Sequence, residues 1–111
     1  MPGEVDINVH NLELSDRLKE YVTKKVGKLD RYLDILEDAR VDLTYDKGAR
    51  SSEDRQIAQL TVRGKSVVLR AEERSDDIFS SVDEVMEKIY RQIERYKGRR
   101  WRNRGDGRSA A

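Results

Sequence analysis

The segment 56–71 reads QIAQLTVRGKSVVLRA, and apolar and polar residues alternate on both sides of its glycine. Its regularly spaced apolar members are Ala58, Leu60, Val62, Val67, Leu69 and Ala71. Alternation with a period of two is typical of a strand that buries one face. Gly64-Lys65 lies between the two runs and is suited to a tight turn. The segment therefore predicts a β-hairpin, and the rest of the fold is built outward from it.

Two more alternating runs lie upstream of the hairpin. Residues 39–45 read ARVDLTY, and residues 5–10 read VDINVH. The polar stretch 46–55 predicts an exposed connection between the second run and the hairpin. Because short links join the strands from residue 39 onward, we expect them to form an antiparallel meander.

Two apolar stripes at helical spacing complete the pattern. Ser15 is a candidate N-cap for the first helix, and Ser75-Asp76-Asp77 opens the second. Gly27 lies within the first stripe, where a glycine lowers helix propensity. Gly98 is a candidate C-cap of the second helix, the alternative being a helix that runs further. The stripes are Leu18, Val22, Val26, Leu29 and Leu33, and then Ile78, Val82, Val85, Ile89, Ile93 and Tyr96.

The order strand, helix, three strands, helix predicts a two-layer α+β domain, with a four-stranded sheet and both helices on one face. Residues 1–98 would form this domain, and residues 99–111 a basic flexible tail or the start of a linker. The other sheet face should be polar and exposed. We expect it to carry His10, Arg40, Asp42, Thr44, Gln59 and Arg70.

Composition excludes several classes of protein. The chain has no cysteine, which excludes disulfides, thiolate zinc sites and a cysteine nucleophile. No apolar run approaches the ~20 residues of a spanning helix, and residues 1–4 do not resemble a secretion signal, so we expect a cytoplasmic protein without a membrane partner. His10 has no evident catalytic partner, and the acidic residues 72–77 lack calcium-loop spacing. We therefore expect no enzyme, metal or cofactor.

Basic residues repeat along both predicted helices, although the net charge is only +1. A solvated surface and helix-dipole matching explain part of this pattern, but not a basic run that continues to Arg104. We predict that the basic sides of both helices flank one groove suited to phosphates. These residues are Arg17, Lys24, Lys25, Lys28 and Arg31 on the first helix, and Lys88, Arg91, Arg95 and Arg99 on the second.

Aromatic residues interleave the second basic stripe. An exposed ring beside an arginine can stack on an unpaired base. Tyr96 continues the apolar stripe and is expected in the core, whereas Trp101 either stacks on a base or packs on the domain.

The second helix carries a specific resemblance. Residues 71–85, AEERSDDIFSSVDEV, and 93–97, IERYK, closely resemble the ribosome hibernation-promoting factors, also called ribosome-associated inhibitor A or sigma-54 modulation proteins. Residues 7–10, INVH, and 14–18, LSDRL, resemble the first strand and helix start of that family. The resemblance extends from about Val5 to Arg100. Ile78-Phe79 departs from the Met-Tyr usual in the family, so a contact made by that tyrosine hydroxyl would be lost or moved.

The resemblance implies a β-α-β-β-β-α fold similar to double-stranded RNA-binding domains, without a small-molecule substrate. It implies binding to the rRNA and proteins of the small ribosomal subunit, in competition with mRNA and tRNA, and inhibition of translation in stationary phase or stress. Ribosome dimerisation would require a C-terminal domain, so the chain is a short form or the N-terminal part of a long one. The implied RNA-binding residues are Lys24, Lys25, Lys28, Arg31, Lys88, Arg91, Arg95, Lys97, Arg99 and Arg100.

Two alternatives remain from the residues. A generic double-stranded RNA binder would recognise long duplexes as well as ribosomes, because such domains read shape. A protein-interaction module acting on transcription would use the polar sheet face and tolerate changes at Lys28 or Arg95.

Overall fold

A computed structural model has one four-stranded sheet with two helices on the same face, which confirms the predicted α+β architecture. The structure describes residues 5–109, and the side chains of residues 5–99. The strands are β1 (Val5–His10), β2 (Leu36–Tyr45), β3 (Gln56–Gly64) and β4 (Val67–Ser75). The helices are α1 (Asp16–Gly27) and α2 (Ile78–Ser109).

The strands lie in the order β1-β2-β3-β4. β2, β3 and β4 form the predicted antiparallel meander. β1 pairs with β2 in parallel, from Val5 opposite Ala39 to His10 opposite Thr44. Parallel neighbours need a crossover connection, and α1 supplies it between β1 and β2.

The alternating residues divide between the two sheet faces as predicted. The alternating apolar residues from Ala39 to Leu43, Ala58 to Val62 and Val67 to Ala71 are buried under the helices, while Tyr45 and the β1 residues Val5, Ile7 and Val9 are half-buried. Full burial of one such side chain contributes roughly 1.5–3 kcal/mol. The polar face carries the predicted set, of which Asp42, Thr44 and Gln59 are half-buried and His10, Arg40 and Arg70 exposed.

The first helix is shorter than its apolar stripe suggested. Ser15 caps it as expected, since its Oγ accepts a hydrogen bond from the Leu18 N–H at 3.1 Å. α1 ends at Gly27, however, and Lys28–Arg31 form a 3₁₀ turn. Leu29 remains fully buried, so the turn keeps the apolar stripe on the core although the α-helix has stopped.

The second helix begins where the sequence predicted and continues further. The Asp77 carboxylate accepts a hydrogen bond from the Phe79 N–H, and the Ser75 hydroxyl accepts one from the Asp77 N–H. The expectation that Gly98 caps the helix is wrong, because α2 runs to Ser109 and Gly98 does not take the left-handed conformation of a glycine cap. A separate tail at residues 99–111 stays a prediction.

The structure has the predicted β-hairpin, but Gly64 is not part of its turn. Gly64 is the last residue of β3 and pairs with Val67, so Lys65 and Ser66 form the loop. Ser66, with a φ of 61°, takes the left-handed conformation. A Cβ on Gly64 would overlap the carbonyl oxygen of Ile35 and lie 3.0 Å from its carbonyl carbon. The glycine is therefore required by a close approach of two backbone segments.

We expect Gly64→Ala to lower the free energy of unfolding by about 1–3 kcal/mol, as overpacking does when the obstructing atoms are backbone. Gly27→Ala is the control, since a Cβ there meets nothing within 4 Å and alanine favours the helix. Urea unfolding of both variants measures the difference. A Gly64→Ala variant as stable as the parent chain would contradict the proposed overlap.

Candidate nucleic-acid interface

The two helices run side by side in the same direction. The Tyr21 ring in α1 meets the Phe79 ring near the start of α2, with centroids 5.0 Å apart. Further along both elements, the Tyr32 ring meets the Tyr90 ring at 4.7 Å. The ends of α1 and its 3₁₀ turn therefore lie beside the middle of α2, where the charge of α2 changes from acidic to basic.

This arrangement gathers exposed basic side chains from both elements at one end of the helical layer. In α2, Asp83, Glu84 and Glu87 precede the tyrosine contact, and Arg91 and Arg95 follow it. Cations near helix C-termini are favoured by the helix dipole, so part of this order stabilises the helices themselves. We call the exposed set the helix-end patch; its members are Lys24, Lys28, Arg31, Arg91 and Arg95.

A groove of about 430 Å³ lies between the helices, with buried Met86 among its lining residues. Lys25 of α1 and Lys28 of the 3₁₀ turn line one wall, and Asp83 and Glu87 of α2 line the other. We call this the inter-helix groove; it is lined by Lys25, Lys28, Tyr32, Asp83, Met86, Glu87 and Tyr90. A groove lies between the helices, but the expectation that both of its walls are basic is wrong, because the α2 wall carries two carboxylates.

Lys88 does not contribute to the α2 wall of the groove, because its side chain points toward β4. Its Nζ lies 2.8 Å from the Glu73 carboxylate and donates a hydrogen bond to the Glu72 carbonyl oxygen at 3.1 Å. Gln92, one turn later, donates to the Arg70 carbonyl oxygen at 2.8 Å. Both side chains cover the free edge of β4, a common way of protecting an edge strand. The expectation that Lys88 faces the groove is wrong.

Lys25 is also engaged within the domain. Its Nζ lies 3.7 Å from the Asp83 carboxylate, which in turn accepts a hydrogen bond from the Tyr21 hydroxyl at 2.5 Å. This hydrogen bond, followed by burial, raises the pKa of Tyr21 to about 12. The ring of Phe79 packs edge-on against Tyr21 and lies beneath the Arg17 guanidinium at 5.1 Å. Phe79 thus contributes to the packing of the two helices. At this place the aromatic hydroxyl is supplied by Tyr21 of α1 and not by residue 79.

The remaining predicted residues lie further along α2. Arg99 is exposed and Lys97 is half-buried. Tyr96 packs against the hydrophobic core, as expected from the apolar stripe. Arg100 and Trp101 lie outside the residues whose side chains are described. RNA contacts by the whole set stay a prediction.

Tyr32 is a candidate RNA-contacting residue that the sequence analysis did not identify. Its side chain is 43% exposed and stands at the edge of the inter-helix groove. The ring of Tyr32 contacts the half-buried Tyr90. Burial, and to a smaller extent the neighbouring Tyr32, raises the pKa of Tyr90. The available signal was an aromatic residue next to Arg31 at a position off the apolar stripe.

The acidic residues before α2 serve the fold. Glu73 pairs with Lys88, Glu72 lies 3.8 Å from Arg74, and Asp77 caps α2. Within the described part of the chain, no group of three or more His, Cys, Asp or Glu side chains could hold a metal ion. His10 is exposed, with Nε2 4.0 Å from the Asp42 carboxylate.

Among the described residues, none of the helices combines the length and the apolar character needed to cross a membrane.

Comparison with known proteins gives a consistent result. Residues 5–101 match the family described as Sigma 54 modulation protein / S30EA ribosomal protein. The ribosome hibernation promotion factor of Staphylococcus aureus is 36% identical over 107 residues, which cover 91% of this chain and 53% of that protein. The factor of the same name from Lactococcus lactis is 39% identical over 94 residues, covering 85% and 49%. The chain thus spans about half the length of these curated relatives.

Solved structures share the fold. A ribosomal subunit interface protein from Coxiella burnetii aligns with a TM-score of 0.72 and 20% identity, over 85% of this chain and 97% of the other. At that identity the likeness supports the fold alone. The N-terminal domain of Thermus thermophilus Protein Y aligns with a TM-score of 0.69 and 29% identity, over 86% and 99% of the two chains.

The Tyr21–Asp83 hydrogen bond predicts a loss of stability at high pH. Because the folded-state pKa of Tyr21, about 12, exceeds its ordinary value of 10.0, its contribution is complete below pH 10 and disappears as the pH rises toward 12. Tyr21→Phe should lack this part of the pH dependence. Asp83→Asn should return Tyr21 ionisation toward its ordinary range, which the ultraviolet absorbance of phenolate measures. An unchanged absorbance titration in Asp83→Asn would contradict this assignment.

Proposed function

The chain belongs to the Sigma 54 modulation protein / S30EA ribosomal protein family, and we propose that it binds the small ribosomal subunit and keeps idle ribosomes from translating. The binding surface would be the helix-end patch, held against rRNA phosphates. Occupancy of the mRNA path and tRNA sites would prevent initiation. The protein would act in the cytoplasm, where ribosomes are, and perform no chemical step.

The observation that carries this proposal is the shared direction of the two helices. Because of it, the basic C-terminal part of α1 and its 3₁₀ turn lie beside Arg91 and Arg95 in the middle of α2, although these residues are some sixty positions apart in sequence. Within residues 5–99, Lys28, Arg91 and Arg95 are exposed and make no ion pair. These cations are available to an external anion, whereas Lys25 and Lys88 already have carboxylate partners.

RNA phosphates are a more suitable ligand for such a patch than a folded acidic protein. Each cation that neutralises a phosphate releases condensed counterions, so a few exposed Lys and Arg side chains give useful affinity without a deep pocket. The same mechanism makes binding strongly dependent on salt. Phosphate contacts position a protein without reading sequence, so specificity for the ribosome would come from the shape of the rRNA around the patch.

The relatives support a role in hibernation, since the proteins from S. aureus, L. lactis and Deinococcus radiodurans are all named ribosome hibernation promotion factors. Their matched segment is about half of each protein. We therefore assign only ribosome binding to this domain. Pairing of ribosomes would require a further domain.

Reversal of Lys28, Arg91 and Arg95 to Glu should abolish binding to small subunits, with a loss of about 100-fold or more, because each change replaces attraction of a phosphate by repulsion. The fold should survive, since all three side chains are exposed. Sedimentation with purified small subunits at low and near-physiological salt measures the effect. Thermal unfolding of the variant checks the fold.

The matched control is the triple change Lys47→Glu, Arg50→Glu and Lys65→Glu. It alters the net charge equally at three exposed basic residues outside the helix-end patch, so it should bind within a few-fold of the parent chain. Equal losses in both variants would mean that net charge alone governs binding. Retained affinity in the first variant would refute the patch. Removal of the chain from subunits by long duplex RNA would instead indicate a generic duplex binder.

A further inference from the structure

The inter-helix groove differs in charge from the helix-end patch beside it. We propose that the groove holds one unpaired RNA base, which stacks on Tyr32 and presents an amino edge to Glu87. The inference rests on the RNA binding proposed above. It adds a base-binding site to a surface that otherwise contacts only phosphates.

The acidic α2 wall of the groove disfavours a phosphate against it, whereas Lys25 and Lys28 line the opposite wall. The α2 wall presents the Asp83 and Glu87 carboxylates, which would repel a phosphate placed between the helices. Asp83 is already engaged with Tyr21 and Lys25. Glu87 is exposed, and its carboxylate makes no hydrogen bond or ion pair with the described side chains of residues 5–99. On the α2 wall, Glu87 thus offers one uncommitted carboxylate that can accept hydrogen bonds from the N–H groups of a neutral base.

The aromatic side chains give the groove a flat apolar surface. Tyr32 and Val68 are the large apolar side chains left exposed in the described part of the chain, and Tyr32 is the one at the groove. Its ring is tilted by 57° to that of Tyr90, so Tyr90 supports it without covering both faces. Rings in such positions stack on unpaired bases. The groove volume, about 430 Å³, falls in the usual range of ~300–1,000 Å³ for small-ligand sites.

The surroundings also orient the base. Lys28 lines the groove and belongs to the helix-end patch, so a nucleotide with its base on Tyr32 can place its phosphate toward Lys28. Glu87 would accept hydrogen bonds from the amino group of cytosine, adenine or guanine. Uracil offers one N–H flanked by two carbonyl oxygens, which the carboxylate repels. The site should therefore select an amino-bearing base.

The first test compares Tyr32→Ala with Tyr32→Phe in binding to purified small subunits. Loss of one stacked base should weaken binding by about 5- to 140-fold, the equivalent of roughly 1–3 kcal/mol. Tyr32→Phe keeps the ring and should bind within about twofold of the parent chain. The dependence on salt should not change in either variant, because no phosphate contact is removed.

Chemical probing of the rRNA then identifies the base. At saturating protein, the parent chain and Tyr32→Phe should protect the Watson–Crick edge of one unpaired base, and Tyr32→Ala should leave it reactive. Protection of the same bases by Tyr32→Ala would overturn the stacking site. Failure of the parent chain to bind subunits would instead refute the proposed function, and this inference with it.

A second pair of variants separates base binding from general electrostatics. Glu87→Lys and Glu84→Lys add the same charge to exposed positions of α2, and only Glu87 lines the groove. For a surface that attracts phosphates alone, both changes should strengthen binding. We expect Glu84→Lys to bind as tightly as the parent chain or more tightly, and Glu87→Lys to bind about tenfold less tightly. Equal or tighter binding by Glu87→Lys would overturn the assignment.

Discussion

The apolar face of the sheet has to be covered by two helices, and this requirement organises the rest of the domain. β1 and β2 are parallel neighbours, so α1 must return across that face before β2 begins. β4, at the other edge, delivers the chain to α2 in the same direction as α1. The basic C-terminal part of α1 and its 3₁₀ turn therefore meet the basic half of α2. The helix-end patch is a consequence of covering the core with parallel helices.

The same geometry divides α2 into sides with separate tasks. One side is buried against β3 and β4, and a second, through Asp83 and Tyr90, packs on α1. A third covers the free edge of β4 with Lys88 and Gln92. What remains exposed beyond the tyrosine contact includes Arg91 and Arg95. Basic residues in one helix thus differ in availability: Lys88, which covers the edge of β4, is paired, whereas Arg91 and Arg95 face water and make no ion pair among the described side chains.

Helical periodicity could not separate these roles from the sequence. Lys88 and Arg91 are three residues apart and looked alike, but only Lys88 reaches the backbone of β4. Gly64 looked like a turn residue, whereas its requirement comes from the backbone of Ile35, which approaches from a distant part of the chain. Tyr32 was overlooked because its partner Tyr90 is remote in sequence. In each case the deciding contact joins residues that no local pattern connects.

The sequence by itself determined the order of strands and helices, the buried face of each, the cap at Ser15 and the family resemblance. These are local properties, because period and capping report how each segment meets water. Only the tertiary structure decided that β1 is parallel to β2, that α1 stops at Gly27 and that the inter-helix groove has one acidic wall. Those features depend on which side chains from distant segments share a space, and packing fixes that only after the chain has folded.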